Sequence, residues 1–408
     1  MIKTPVHLIG MGVEGRRGLP KATQAAFLAM DELWGAERFF AEWPDFQGNK
    51  KPFEKALRQQ IQQIKNRLPD TKIAILSSGD PNFFGISRLL GETLNPAEIV
   101  IHPAVSSLQV AFARVGIPWD DAVLTTLHTK NISELIGLAK RHRKIGVLTE
   151  PSHSPYWICR QLLQAKIPNC RVVICESLGS DEEKITDTRL ASLEDRAYAP
   201  LNVLLLFPEN SPSVYPSVRQ DTAYDHARGL ITKRDIRLLS LEHLAIAEQD
   251  TVWDIGSGSG AVSIEMAERA WKGQVFAIEK NELQLGLIES NRRKFGCSNL
   301  TIIPGEAPEA LTGLPRPQAI FLGGSGGRLN EILDHLVSLK GLDCHLVANF
   351  AVIENLSRAL SWFESHGLKA ELSSVSLSYS QNIGKRTRLV PINPIFILNS
   401  HLINGGSA

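Results

Sequence analysis

The chemistry this sequence offers sits in its glycine-rich turns and in a few acids placed at fixed distances from them. Asp254-Ile-Gly-Ser-Gly-Ser-Gly260 follows the apolar run Thr251–Ile255 and opens a helical stretch, Ala261–Ala270. Glycines there permit a tight turn and let a ligand approach the backbone, while the helix offers its N-terminal amides. About 20 residues further on, Phe276-Ala-Ile-Glu279 ends the next strand in an acid able to accept from ribose hydroxyls. Gly256, Gly258 and Ala261 also satisfy G-x-G-x-x-A, so spacing alone leaves a dinucleotide open. Two acids favour S-adenosylmethionine instead. Asp254 stands where a carboxylate reaches an ammonium group and would repel pyrophosphate. Glu306, in Gly305-Glu-Ala-Pro-Glu309, follows the third strand, where it can meet an adenine amine.

These residues need strands and helices to hold them. Aliphatic runs alternating with amphipathic stretches imply parallel α/β sheets, twice over. In the first half the expected strands are Val6–Ile9, Lys72–Leu76, Glu98–Ile101, Lys144–Leu148, Val172–Cys175 and Leu201–Phe207. In the second they are Thr251–Ile255, Gln274–Ile278, Leu300–Ile303, Ala319–Leu322 and His345–Ala348, with further runs near Ser373–Tyr379 and Pro394–Leu398. Pro208, Pro212 and Pro216 alternating with serines mark an extended linker over 209–227 between domains 1–208 and 228–408. Gly10-Met-Gly-Val-Glu-Gly15 also follows a strand, but Arg16-Arg-Gly-Leu-Pro20 reads as a loop, which argues against a second dinucleotide site.

Composition narrows the class. The 408 residues hold 44 Lys+Arg against 43 Asp+Glu, and this near-neutrality argues against a nucleic-acid partner. No apolar run approaches a membrane span, and the first residues lack the apolar core of a secretory signal. Five cysteines without a C-x-x-C pair fit buried thiols of a cytoplasmic protein, with no metal site expected. Lys140-Arg-His-Arg-Lys144 ends a helical segment, where cations complement the dipole. Asn393-Pro-Ile-Phe396 imitates an amine-methylating motif but reads as an edge-strand proline.

A closer resemblance emerges from longer segments. Leu230-Ile-Thr-Lys-Arg-Asp-Ile-Arg237, the Asp254–Gly260 loop, Gly305–Glu309 and Phe321-Leu-Gly-Gly-Ser-Gly-Gly327 resemble the class I, Rossmann-like methyltransferases that methylate C-15 and decarboxylate in cobalamin biosynthesis. That resemblance implies cofactor contacts at Thr232, Gly256, Ser257, Gly258, Ser259, Gly260, Glu279, Glu306 and Ala307, with Glu standing where Asp is common at 279 and 306. In the first half, Ser77-Ser-Gly-Asp-Pro81, Pro103-Ala-Val-Ser-Ser107 and Cys175-Glu-Ser-Leu-Gly179 resemble the two-lobed tetrapyrrole methylases of the C-5 methylating branch. There the implied cofactor contacts are Gly79, Asp80, Ser106, Ser107 and Leu178, and the glycine-rich start, Gly10 and Gly12, is expected to line the substrate trough.

The two resemblances together imply a bifunctional enzyme with one S-adenosylmethionine per domain, acting on a precorrin, with or without cobalt, at C-5, C-15 and the C-12 acetate. Its polycarboxylate ring calls for nearby cations, for which Arg234, Lys385 and Arg386 are candidates, beside Lys233, Arg237 and Arg388. Gly324 and Gly326 would let a flat substrate approach the backbone. Self-association is a further expectation from the families. No catalytic residue is singled out, because electron-rich ring carbons are themselves nucleophiles and the protein mainly aligns groups and manages a proton. Two other readings are an RNA methyltransferase with a binding N-terminal domain and a non-catalytic tetrapyrrole-binding protein. Intact glycine loops and the missing amine motif weigh against them.

Overall fold

The structure, a computed structural model, describes residues 5–54, 56–68, 70–128, 131–209, 218–227 and 229–403. It divides into two compact units, the second made of the C-terminal half together with Asn131–Arg141 and Gln161–Ile167.

The first unit holds two five-stranded sheets. One contains β1 (Val6–Met11), β2 (Glu32–Gly35), β3 (Asn49–Pro52), β4 (Ile73–Ser78) and β5 (Ile99–His102), in the order β3-β2-β4-β1-β5 and wholly parallel. Ile73 to Leu76 are all buried, as expected of a central strand covered on both faces. The other contains β6 (Val123–Thr126), β7 (Ile145–Leu148), β8 (Arg171–Glu176), β9 (Lys184–Arg189) and β10 (Asn202–Phe207), in the order β6-β7-β10-β8-β9. Here the expectation of a parallel sheet is corrected. Only β6 and β7 run parallel, while β10 runs antiparallel to both β7 and β8. The burial of Val203 to Leu206 on both faces hides this reversal from the sequence, since a central strand is equally apolar in either direction.

The second unit carries β11 (Thr251–Ile255), β12 (Gln274–Glu279), β13 (Leu300–Pro304), β14 (Ala319–Leu322), β15 (Asp343–Phe350), β16 (Glu371–Val375) and β19 (Ile395–Ile403), ordered β13-β12-β11-β14-β15-β19-β16. Its first five strands are parallel, and β19 pairs antiparallel with β15 and β16. Flanked on both sides, β19 is not an edge strand, and Pro394 lies just before it. The run expected near Ser373–Tyr379 divides into β16 and β17 (Ser378–Ile383), and β17 forms a separate hairpin with β18 (Arg386–Pro391). Strand order reverses between β11 and β14, and such a switch opens a crevice beyond the carboxyl ends of the strands.

Of the expected linker, 210–217 lie outside the described residues. Residues 218–227 do not form a free connector. Val218 and Tyr224 are buried in the second unit's core, and Tyr224 donates to Glu265 at 2.6 Å. Arg237 is wholly buried and gives its guanidinium to Glu265 at 3.0 Å, to the Arg219 carbonyl at 2.6 Å and to Asp221 at 3.3 Å. It therefore staples the incoming chain to the helix Ala261–Arg269 and is not available to a substrate carboxylate. Lys140 likewise serves structure, but not its own helix. Within the second unit its ammonium caps the carbonyls of Phe295 and Gly296, at 2.9 and 2.8 Å, at the end of the helix Glu282–Phe295.

All five cysteines are buried and unpaired. Arg237→Ala would strand the Glu265 carboxylate without its cation, so urea unfolding should show a loss of about 3–5 kcal/mol. Tyr224→Phe, which removes one hydrogen bond, should cost about 1–2 kcal/mol in the same assay.

Candidate active site

The crevice of the second unit lies where the sheet's topology puts it. Gly256, Glu279, Gly305 and Gly324, which follow β11, end β12 and follow β13 and β14, line a cleft with about 510 Å³ of open space. Ile255, Ile278, Ala307 and Ile332 supply apolar walls, and Lys280 and Glu306 supply charge. Gly256 has φ +72°, and a Cβ there would lie 2.4 Å from the Gly324 carbonyl oxygen. The loops after β11 and β14 meet backbone to backbone, which no other residue type permits.

Glu279 braces the glycine loop. Its carboxylate accepts from the amides of Gly258 at 2.9 Å, Lys280 at 3.0 Å and Asn281 at 2.9 Å. Three backbone donors fix both oxygens at the cleft wall with lone pairs to spare for a ligand's hydroxyls. Glu306 faces Lys280 at 2.6 Å, next to Gly326. Lys280 is a cleft residue that the sequence reading missed, although its place beside Glu279 at a strand's carboxyl end was the available signal. Ser257 and Ser259 turn inward. The Ser257 hydroxyl donates to the Asp254 and Ile278 carbonyls, and both serines are buried. Gly260 starts the helix Ala261–Arg269.

Asp254 corrects the sequence reading. Its side chain is fully buried, receives the Ser263 hydroxyl on one oxygen and leaves Oδ1 without a partner. Burial, opposed by that hydrogen bond, pushes its carboxyl up to about 7. It therefore lies beneath the loop and not at the cleft surface, where an ammonium would meet it.

In the first unit close backbone approach recurs at the carboxyl ends of β4, β1 and β5. A Cβ on Gly10 would lie 2.5 Å from the Gly79 carbonyl and 2.8 Å from Ala104. Gly79 donates to Met11 at 2.7 Å and passes 3.6 Å from Ser106, measured from where its Cβ would stand. Gly12 stands at the same place against Val105. Asp80 holds the turn by accepting from Asn82 at 2.8 Å, and Ser106 accepts from Gln109 as N-cap of the helix that Ser107 begins. The second sheet approaches the β1 loop through Leu178-Gly179. A Cβ on Gly179 would meet the Val13 carbonyl at 2.6 Å, and Leu178 packs with Phe83 and Leu148 in one apolar cluster.

Other expected contacts are not brought together. Arg234 spends its guanidinium on the Val218 carbonyl at 3.0 Å and Asp235 at 3.2 Å. The Thr232 carbonyl accepts from Arg237. Lys385 and Arg386 sit exposed at the turn of the β17–β18 hairpin, and neither lines the cleft.

Comparison with known proteins finds matches to both halves of the chain. Residues 5–194 match the model of the tetrapyrrole (corrin/porphyrin) methylases, and residues 222–401 that of the precorrin methyltransferase domain. A Sinorhizobium sp. precorrin-6Y C(5,15)-methyltransferase (decarboxylating) is 29% identical over 394 residues, 95% of this chain and 94% of that protein. A Salmonella typhimurium cobalt-precorrin-6B C(15)-methyltransferase (decarboxylating) is 36% identical over 169 residues, 41% of this chain and 87% of that protein. Among solved structures, a Geobacter metallireducens precorrin-6Y C5,15-methyltransferase is 34% identical and covers 46% of this chain and all of that one, with a TM-score of 0.44. Sheets and crevices of this kind, matched by two methylase models in tandem, define a methyltransferase built from a tetrapyrrole methylase and a Rossmann-like methyltransferase. The chain belongs to the family of decarboxylating precorrin-6Y C5,15-methyltransferases.

Two substitutions test the geometry. Gly256→Ala forces a clash with backbone and a strained φ, so it should lower stability by about 1–3 kcal/mol in denaturant melts and abolish nucleoside binding to the second cleft. Asp254→Asn tests the buried acid. A carboxyl whose pKa rises on folding contributes stability below about pH 4 that is lost as pH climbs to 7. The stability of the Asn variant relative to the parent should therefore grow by up to about 4 kcal/mol between those values and stay flat above. A pH-independent difference would show that Asp254 is not held as a neutral acid.

Proposed function

We propose that this enzyme transfers two methyl groups from S-adenosylmethionine to bridge carbons of a reduced, polycarboxylate tetrapyrrole. The N-terminal domain (1–208), which holds most of the first unit, acts at C-5. The second (228–408) acts at C-15 and removes the C-12 acetate carboxyl, and each unit holds its own cofactor. The observation that carries this reading is that close backbone approach at the carboxyl ends of parallel strands occurs in both units, at Gly256 and Gly324 beside the cleft of the second and at Gly10 and Gly79 in the first.

The residues of the second cleft suit the cofactor. Apolar Ile255, Ile278 and Ala307 would face a purine, Glu279 its ribose and Glu306 its amine. Bound there, S-adenosylmethionine supplies an electrophilic methyl group. The chain's own contribution is alignment of the ring carbon with that methyl, since a correctly held nucleophile needs little further activation. Open backbone at Gly324 and Gly326 leaves room for a flat ring beside it, and Lys280 stands within the same cleft as a cation for one of its carboxylates. Removal of the acetate carboxyl is favoured where its charge is drawn out of water and the ring accepts electrons.

The Sinorhizobium sp. and Mycobacterium tuberculosis relatives that span most of this chain carry the name precorrin-6Y, whereas the Salmonella typhimurium relative that covers 41% of it carries cobalt-precorrin-6B, which favours a metal-free ring for this chain. Calorimetric titration of the full chain with S-adenosylhomocysteine should give two sites. Gly256→Val should leave one, together with a product methylated at C-5 that has lost no carbon dioxide. One site in the parent, or carbon dioxide release by the variant, would refute the assignment.

A further inference from the structure

The loop after β7 holds a group that the proposed cofactor contacts do not account for. His153 Nδ1 lies 2.6 Å from Glu150 Oε1, and the Ser152 hydroxyl donates to the same oxygen at 2.7 Å. The ring leans on Trp157, with centroids 4.3 Å apart, while its side chain keeps 37% of its surface open. Its Nε2 has no hydrogen-bond partner among the described residues. An imidazole oriented by a carboxylate on one nitrogen and open at the other is the arrangement that a proton acceptor requires.

A structural role explains it less well. The helix Pro155–Gln164 is already capped by Ser154, whose hydroxyl accepts from the Trp157 amide at 3.2 Å. The dyad therefore adds nothing that the helix start lacks.

Its place in the fold gives it a task. β7 ends, β8 ends and β10 begins at one edge of the second sheet, because Leu148 pairs with Val203 and Glu176 with Asn202. Leu178 follows β8 at that edge, and Leu148 lies in its apolar cluster with Phe83, just beyond Asp80. His153 thus stands on the same rim of the first unit as its proposed cofactor contacts.

We propose that His153, oriented by Glu150, accepts the proton released when the first unit methylates its ring carbon. This rests on the functional reading above. The bridge carbon's electron pair forms the new bond to the methyl, the sulfur keeps the pair of the broken S–C bond, and the carbon's hydrogen leaves as a proton to Nε2. The second unit does not need such a group. Its methylation releases one proton and its decarboxylation takes one up, and no imidazole is among the described residues lining its cleft.

The test uses the full chain. His153→Ala should slow C-5 methylation by about 100-fold or more, with partial rescue by added imidazole. Carbon dioxide release and C-15 methylation should stay within about twofold of the parent, and two S-adenosylhomocysteine sites should persist. Glu150→Gln removes the carboxylate that favours the imidazolium. It should lower kcat for C-5 methylation by about tenfold with KM for the tetrapyrrole unchanged, and added imidazole should not restore it while His153 is present. C-5 methylation by His153→Ala within about threefold of the parent, or a loss that imidazole does not relieve, would overturn the proposal. A parent that performs no C-5 methylation would instead overturn the reading of the first unit.

Discussion

Close approach of backbone to backbone at the carboxyl ends of parallel strands is the constraint on which both units depend. In the second unit the loops after β11 and β14 touch at Gly256 and Gly324, and in the first the ends of β1 and β4 touch at Gly10 and Gly79. Side chains at these points would push the loops apart, and at Gly256 would crowd the cleft of the second unit. With glycine there, amides and carbonyls form the walls, and the acids that follow need only brace them. Glu279 shows how the bracing works: its three backbone donors hold the glycine loop against β12.

What the sequence revealed follows from that constraint. Glycine spacing and the acids after β12 and β13 are local features, and the structure puts Gly256, Glu279 and Glu306 on one cleft as the spacing suggests. Strand direction is not local. β10 reads like any central strand, yet it runs against its neighbours, because its direction is decided by a connection through distant β9. Short strands such as Glu32–Gly35 and Asn49–Pro52 carry too few residues for a period to show. The His153–Glu150 dyad was illegible for a different reason. Its residues are three positions apart and ordinary in type, and only the turn that folds the ring back onto the carboxylate gives them meaning.

Charge is the other place where sequence and structure part. Cations near Thr232 looked free for substrate carboxylates, but Arg237 and Arg234 are consumed in fastening residues 218–237 to the second unit. The acids show the same inversion. Asp254 was placed at a ligand by its spacing, yet it supports the loop from below with an unpaired oxygen and a carboxyl pushed up by burial. A charge beside a motif is as often used to build the motif as to serve its ligand, and burial decides between the two.

On the proposed division of labour, proton demand supplies the reason for an asymmetry between the units. Carbon methylation by a sulfonium donor replaces a ring hydrogen and leaves one proton over. Loss of an acetate carboxyl leaves a carbanion that must take one. A unit performing both steps on the same ring is balanced within itself, so alignment and desolvation suffice, and its cleft is made of glycine, aliphatic side chains, two acids, a serine and a lysine. A unit that only methylates has a proton to dispose of. The His153–Glu150 pair lies in that unit, at the end of the sheet that also carries Leu178.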